Sequence, residues 1–331
     1  MVIGALALAA AATTAVAVAP WSETIVSVED IPAASRLFRE AGGWTVRQRG
    51  SVAPAEIVYW KLPVTARGSF ERLCAPKADT GCIRFVRWTG VAQRPIRRAA
   101  RAWDTGGIYS VMVRSDNVPA LYDQALKLGW WAESEPIRFT FGASDLRNVV
   151  LVGPHGINLA VYERISPAFT AFPVGRISQT FNSMRMVRSK VAARDFYRET
   201  LGFWMAFDSD RAPKDRARSN FGIPFNYTNV AWRNAAALAP IAGETGRVEV
   251  MQIDGFEGSD LSEFAQPQNL GIVSVRFPVT GLAAYRANLE TKGVAIAYAA
   301  KRVPVTGIGR IDLFAVRDPD GNITEFYEGA K

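Results

Sequence analysis

Glu325 stands inside an apolar, β-prone run near the end of the chain, between Thr324 and Phe326. The run follows the turn sequence Asp318-Pro-Asp-Gly321, in which Pro presets φ, Asp bonds its own backbone and Gly accepts a positive φ. A second β-prone run precedes this turn, so the segment predicts a β-hairpin. A carboxylate in a half-buried strand is costly unless it is paired or faces a cavity. Glu325 is therefore the first candidate for acid–base chemistry or ligand binding.

A weaker copy of this hairpin lies at residues 151–163, where Gly153-Pro-His-Gly156 overlays the turn described above. Ala160 then falls at the position of Glu325. The copy suggests a duplicated chain. His155, in its turn, is the single histidine of the sequence. It is either an exposed turn residue or a base at the mouth of an N-terminal cavity.

The duplication extends to four units that share one order of elements: a short strand, an amphipathic helix, a Gly break and further strands. Units one and two fill residues 22–165, units three and four fill residues 178–331, and residues 166–177, with two Pro and one Gly, form the linker. The pattern predicts an α+β fold of four βαβββ modules. We expect consecutive modules to pair into two domains, with a degenerate N-terminal domain and the main cavity in the C-terminal one.

Two segments carry a family resemblance. Phe196-Tyr-Arg-Glu-Thr-Leu-Gly-Phe203 and the segment from Asp318 to Glu325 resemble the signatures of the vicinal oxygen chelate superfamily, which includes glyoxalase I, bleomycin resistance proteins and extradiol dioxygenases. Four modules in one chain resemble the two-domain dioxygenases. The resemblance implies glyoxalase/dioxygenase-like domains in which paired sheets curl around a cavity with a divalent metal on its floor.

In that family the usual metal ligands are a His on the first strand of a unit and a Glu on its last strand. The last-strand acids here are Glu325 in unit four and Glu249 in unit three. By strand alternation, we expect first-strand side chains that face the cavity to take part in ligand binding, together with one last-strand tyrosine. These predicted ligand-binding residues are Ser183, Arg185, Ser274, Arg276 and Tyr327. Asn182 replaces Ser183 and Arg185 if the register of that strand is shifted by one, and Ser110 and Ser27 hold the matching places in units two and one.

One histidine cannot build a two-histidine iron site within the chain, so we expect no iron or zinc cofactor. Three roles stay open for the predicted catalytic residues, Glu249 and Glu325. They could pair with Arg185 and Arg276 in a polar cavity without metal. They could together hold Mg²⁺ or Mn²⁺, which prefer oxygen ligands. Alternatively, one could act as a general base whose pKa is raised by the other.

The sequence thus predicts a small-molecule binding protein, or a metal-independent enzyme, acting on an anionic or oxygen-rich ligand. The alternatives are a divalent-metal-dependent lyase, isomerase or epimerase and, with less support, an extradiol-type dioxygenase. Whether the protein is an enzyme stays open at this point. The formal charge is +8, but no nucleic-acid-binding motif accompanies it. An oligomer is compatible with the sequence.

The first 19 residues contain no charged side chain and end with a small-x-small pattern at Ala17 and Ala19. This pattern is typical of a secretory signal peptide and predicts a periplasmic or secreted protein. Membrane attachment is expected only if the segment stays uncleaved. Cys74 and Cys82 flank a stretch with Pro76 and Gly81, and in an oxidising compartment they could form a disulfide.

Overall fold

The computed structural model describes residues 15–211 and 215–330. The fold is α+β and is built from four similar units, as the sequence predicts. Most of the predicted signal peptide, residues 1–14, lies outside the described residues. Within the described ranges, no helix is both long and apolar enough to cross a membrane.

The elements of each unit follow the predicted order, with one extra helix in unit one and an additional short strand in unit two. A short strand, β1 (Ala17–Val18), precedes unit one. Unit one contains β2 (Glu23–Ser27), α1 (Ile31–Glu40), β3 (Thr45–Ser51), α2 (Pro54–Tyr59), β4 (Arg67–Cys74) and β5 (Cys82–Thr89). Unit two contains β6 (Ile108–Arg114), α3 (Val118–Lys127), β7 (Trp131–Ala132), β8 (Ile137–Phe141), β9 (Ser144–Val152) and β10 (Asn158–Ser166).

Units three and four are more regular. Unit three contains β11 (Asn182–Met186), α4 (Lys190–Asp195), β12 (Trp204–Arg211), β13 (Arg233–Ala239) and β14 (Arg247–Ile253). A π-helical turn over Phe196–Thr200 extends α4. Unit four contains β15 (Gly271–Thr280), α5 (Leu282–Thr291), β16 (Ile296–Val305), β17 (Gly309–Arg317) and β18 (Ile323–Gly329).

Local chemistry sets the helix ends. Asp30, Asn117 and Ser189 begin α1, α3 and α4 by accepting a hydrogen bond from the backbone N–H three residues later. Gly202 and Gly293 follow helices with φ of 77° and 83°, a conformation that is favourable only without a Cβ. The sequence pattern of helix followed by Gly is therefore explained by left-handed caps.

The pairing of the units differs from the expected one. The first sheet has the order β16-β17-β18-β15-β2-β5-β4-β3 and combines units four and one, with β1 added beside β15. The second has the order β12-β13-β14-β11-β6-β10-β9-β7, with β8 beside β9, and combines units three and two. The expectation that consecutive units pair, within residues 22–165 and within residues 178–331, is therefore wrong. It failed because first strands join across the halves, antiparallel, as β2 with β15 and β6 with β11.

The two sheets pack with their helical faces toward each other. One core cluster combines Leu37 of α1 with Leu121 of α3, and another combines Val250 of the second sheet with Phe326 of the first. Each sheet curls its opposite face into a concave surface. Cys74 and Cys82, at adjoining ends of β4 and β5, are joined by a disulfide.

Candidate functional site

The concave face of the first sheet is filled by buried charges. Strand register places Arg276 directly beside Glu325, and Ile25 directly beside Arg84, so Arg84 holds the last-strand position of unit one. Three arginines and three glutamates share this interior and leave it formally neutral. They are Arg72, Arg84, Arg276, Glu23, Glu56 and Glu325, each at most 8% exposed.

Arg276 is the centre of this cluster. Its Nη1 donates to Glu23 Oε1 at 3.0 Å and its Nη2 to Glu325 Oε2 at 2.8 Å, with Glu56 Oε1 at 3.4 Å. The Ser274 hydroxyl donates to Glu325 Oε1 at 2.5 Å, and the Tyr59 hydroxyl donates to Oε2 at 3.2 Å. A guanidinium thus supplies the positive charge among these carboxylates.

Glu23 and Glu325 have pKa shifts of opposite sign, although burial acts to raise the pKa of both. Burial would raise the pKa of Glu23, but attraction to Arg276, Arg84 and Arg72 outweighs it, so the pKa is lowered. For Glu325, burial raises the pKa more than Arg276 lowers it. Helix α2, which carries Glu56 and Tyr59, packs over the cluster and closes it from solvent. We conclude that this face is a structural core and not an open site.

The concave face of the second sheet encloses a cavity of about 360 Å³, within the usual range for small-molecule sites. The two ends of the sheet approach each other here through side chains, because Phe141 of β8 packs edge-on against Phe207 of β12 with ring centroids 5.2 Å apart. Apolar and aromatic side chains dominate one wall. They include Ile137, Phe139, Phe141, Leu146, Phe181 and Phe207.

Glu249 and Asn182 form the polar floor of this cavity. Asn182 Nδ2 donates to Glu249 Oε2 at 2.9 Å, and both residues are buried. Burial raises the pKa of Glu249 from 4.5 to about 7, although the hydrogen bond from Asn182 acts to lower it. Asn182 Oδ1 is buried and has no hydrogen-bond partner among the described residues. The carboxyl group can therefore accept or release a proton near neutral pH.

Arginines supply most of the remaining polarity of the cavity. Those that line it are Arg114, Arg138, Arg164, Arg211, Arg218, Arg233 and Arg247. Arg114 and Arg247 share Glu244, at 3.1 Å and 3.3 Å. Burial lowers the pKa of Arg114 to about 10.

Arg211 and Arg233 lie directly opposite each other on antiparallel strands β12 and β13. Neither forms an ion pair with an acidic residue in the described part of the chain. Burial, together with repulsion from Arg211, lowers the pKa of Arg233. Like charges opposite each other destabilise a sheet, so this pair marks a place where an anion would be stabilising.

A divalent metal does not fit the residues of the second cavity. The first-strand and last-strand positions held by Ser274 and Glu325 in unit four have equivalents in the second sheet. In unit two they are Ser110 and Ala160, and in unit three they are Asn182 and Glu249. The donors are then one carboxylate, one amide and one hydroxyl, without a histidine, and arginines surround them. Among residues 15–211 and 215–330, no group of three or more His, Cys, Asp or Glu side chains is placed to hold a metal ion.

The structure separates the two predicted catalytic residues. Glu249 lies on β14 in the second sheet, whereas Glu325 lies on β18 in the first. The expectation of one cavity containing both, within residues 178–328, is therefore wrong, and they cannot share a metal ion or raise each other's pKa. Ser274 and Arg276 do contact Glu325, and Tyr327 packs half-buried beside that cluster.

Ser183 and Arg185 face the helical layer instead of a cavity. Arg185 Nη1 donates to Ser183 Oγ at 2.9 Å, and its Nε lies 3.6 Å from Asp318 Oδ2 in the turn between β17 and β18. By strand alternation, Asn182 and Met184 therefore point into the cavity. This is the alternative assignment, in which the register of the strand is shifted by one residue. Ser183 and Arg185 were assigned to the cavity because they are polar. Arg185 is buried elsewhere because it has partners there, Asp318 and Thr324, that the local sequence does not reveal.

His155 lies near unit one rather than at the second cavity. Its Nδ1 is 3.9 Å from Glu29 Oε2, and its backbone has a φ of 60°.

Sequence reasoning missed Arg211 and Arg233. The available signal was that Arg211 is the last residue of one strand and Arg233 is the first residue of the next strand.

Comparisons agree with this architecture. Residues 182–326 match the model of the Glyoxalase/Bleomycin resistance protein/Dioxygenase superfamily. Glyoxalase I from Zea mays is similar over 95% of this chain and 93% of its own, with 15% identity and a TM-score of 0.61. A putative dioxygenase from Bacillus subtilis is similar over 95% of this chain and 86% of its own, with 10% identity and a TM-score of 0.56. No curated protein sequence matches the chain.

The matched segment, residues 182–326, spans units three and four and supports a relationship to the vicinal oxygen chelate superfamily, and the fold repeats the same unit four times. At identities this low, the similar structures establish the fold alone.

Proposed function

We propose that this protein binds a small organic anion in the cavity of the second sheet without a metal ion. The observation that carries the proposal is the opposed pair Arg211 and Arg233, which lines the same cavity as the buried carboxyl of Glu249. Apolar walls would hold the body of the ligand, and the arginines would hold its charge.

Glu249 gives the site a means of moving a proton. A carboxyl group with a pKa of about 7 is present in both protonation states at neutral pH. In its ionised state it could accept a proton from a bound molecule at Oε1 or Oε2, and Asn182 would hold the carboxylate in place. Metal-independent proton transfer is thus the enzymatic form of this proposal.

We also propose that the protein is exported to the periplasm or secreted. The charge-free apolar start of the sequence supports this, as does the disulfide between Cys74 and Cys82. Cleavage after Ala19 would remove β1, which pairs only with the end of β15. Intact-mass measurement of exported protein would detect the loss of residues 1–19, and a full-length product would contradict the proposal.

The main proposal is tested by calorimetric titration. Protein that has been treated with a chelator to remove metal is titrated with a panel of carboxylates and their matched alcohols. We expect carboxylates to bind and alcohols to bind at least about tenfold more weakly, since an ionic hydrogen bond is lost. Arg211→Gln should weaken carboxylate binding, whereas Arg286→Gln, on the outer side of α5 and away from the cavity, should not. Binding that disappears on chelation and returns with Mg²⁺ or Mn²⁺ would contradict the proposal.

A further inference from the structure

The polar groups of the second cavity lie at two separate places along its strands. Glu249 pairs with Ala237 on β13, four residues from Arg233. Four residues of an extended strand span ~13 Å. The arginine side chains shorten this gap, because the charge of Arg211 still acts on Glu249 and lowers its pKa. A ligand that reaches from the floor to the level of Arg233 is therefore elongated, with polar groups at its two ends.

The floor of the cavity requires a hydrogen-bond donor. Asn182 is 4% exposed, and its Nδ2 is engaged by Glu249, which leaves Oδ1 without a partner among the described residues. A buried acceptor without a donor costs free energy, so a bound ligand that donates here would be preferred. A hydroxyl group suits this place better than an ammonium group, because the arginines that line the cavity repel a positively charged group of the ligand.

The anion belongs at the other end. Arg114 and Arg247, which lie toward the floor, already share the carboxylate of Glu244. Arg211 and Arg233 form no ion pair within the described residues and repel each other. Arg211 also stacks on Phe141, with its guanidinium carbon 4.4 Å from the ring centroid, so its position is held by the wall of the cavity.

From these positions we infer that the ligand is an elongated hydroxy acid: its carboxylate binds Arg211 and Arg233, its apolar body lies along the aromatic wall, and its distal hydroxyl donates to Asn182 Oδ1. This inference rests on the proposed function and makes it more specific.

Three probes separate the two claims: octanoate, omega-hydroxyoctanoate and, as the neutral reference, octanol. We expect omega-hydroxyoctanoate to bind about tenfold more tightly than octanoate. Octanol should bind more weakly than either acid. Equal affinity of the two acids would overturn the hydroxy-acid inference while leaving anion binding intact. Failure of both acids to bind would overturn the proposed function itself.

Variants locate the two ends. Asn182→Leu should reduce the advantage of the hydroxy acid to less than about twofold and leave octanoate binding in place. Arg233→Gln should weaken both acids by about tenfold and leave octanol unchanged. Arg138→Gln is the matched control, because Arg138 also lines the cavity but is paired with Asp145. Equal effects of Arg138→Gln and Arg233→Gln would overturn the assigned position of the carboxylate, and circular dichroism would verify the fold of each variant.

Discussion

At the scale of single residues, Glu249 shows how burial sets proton affinity. Its pKa of about 7 exceeds the usual 4.5 because burial disfavours the ionised form. Between these two values, the folded protein binds more protons at this site than the unfolded chain does. The free energy of unfolding must therefore decrease as the pH rises through this window.

We predict that Glu249→Gln removes this part of the pH dependence. Between pH 4.5 and pH 7, the free energy of unfolding of the variant should gain up to about 3 kcal/mol relative to the original protein, because glutamine has no proton to lose. Urea denaturation across this pH range measures the difference. The exposed Glu290→Gln is the control, and parallel curves for Glu249→Gln and the original protein would contradict the assignment.

The charge of Arg233 lowers the stability of the ligand-free protein. Because Arg211 lies directly across the strand pair, Arg233→Gln should raise the free energy of unfolding by about 0.5 kcal/mol without ligand. Thermal denaturation with and without omega-hydroxyoctanoate would test this, since the ligand should stabilise the original protein more than the variant. A variant that is less stable than the original protein in the absence of ligand would show that the arginine pair is structural.

At the scale of elements, the two concave faces differ because of one helix. Helix α2 covers the first face and brings Glu56 and Tyr59 to the buried ion cluster. In unit three, the corresponding region between β12 and β13 instead contributes Ala217, Arg218 and Phe221 to the border of an open cavity. The same repeated unit therefore gives a core on one side and a candidate site on the other.

We predict that Arg276→Leu destabilises the protein by about 3–5 kcal/mol, because it leaves three buried carboxylates without their shared cation. Urea denaturation measures the loss. The control is Arg286→Leu, which breaks an exposed pair with Glu290 and should change stability by less than about 0.5 kcal/mol. Similar small effects for both variants would show that the cluster contributes little. Ligand binding in the second sheet should remain in both.

At the scale of the whole molecule, each half of the sequence supplies one unit to each sheet. A fragment of residues 178–331 would expose the edges of β11 and β15, which normally pair with β6 and β2. Exposed strand edges favour association. The linker of residues 166–177 accordingly joins two units of the same sheet and does not separate two domains.

We predict that this fragment, produced alone, is oligomeric or aggregated, and that co-expression with residues 1–165 restores a one-to-one complex. Size-exclusion chromatography with light scattering distinguishes these states. A folded, monomeric fragment would contradict the sheet pairing described above. The full-length chain, analysed in parallel, provides the reference.

Much of this protein could be predicted from its sequence. The four repeated units, the helix caps and the turn before Glu325 depend on neighbours along the chain, so local patterns reveal them. The absence of a two-histidine site also follows from the sequence, because a single histidine cannot supply two ligands. Glu325 could be identified as an acid in an apolar strand, and Glu249 as the last-strand acid that the family resemblance implies.

Tertiary structure alone decided what these residues face. Strand pairing across the halves placed Glu325 in a closed ion cluster and Glu249 in a cavity, although both stand at the same position of their units. Arg185 of β11 finds its buried partner in Asp318, which is more than a hundred residues away. Such pairings depend on long-range charge and packing, and the alternation of residues within one strand does not contain that information.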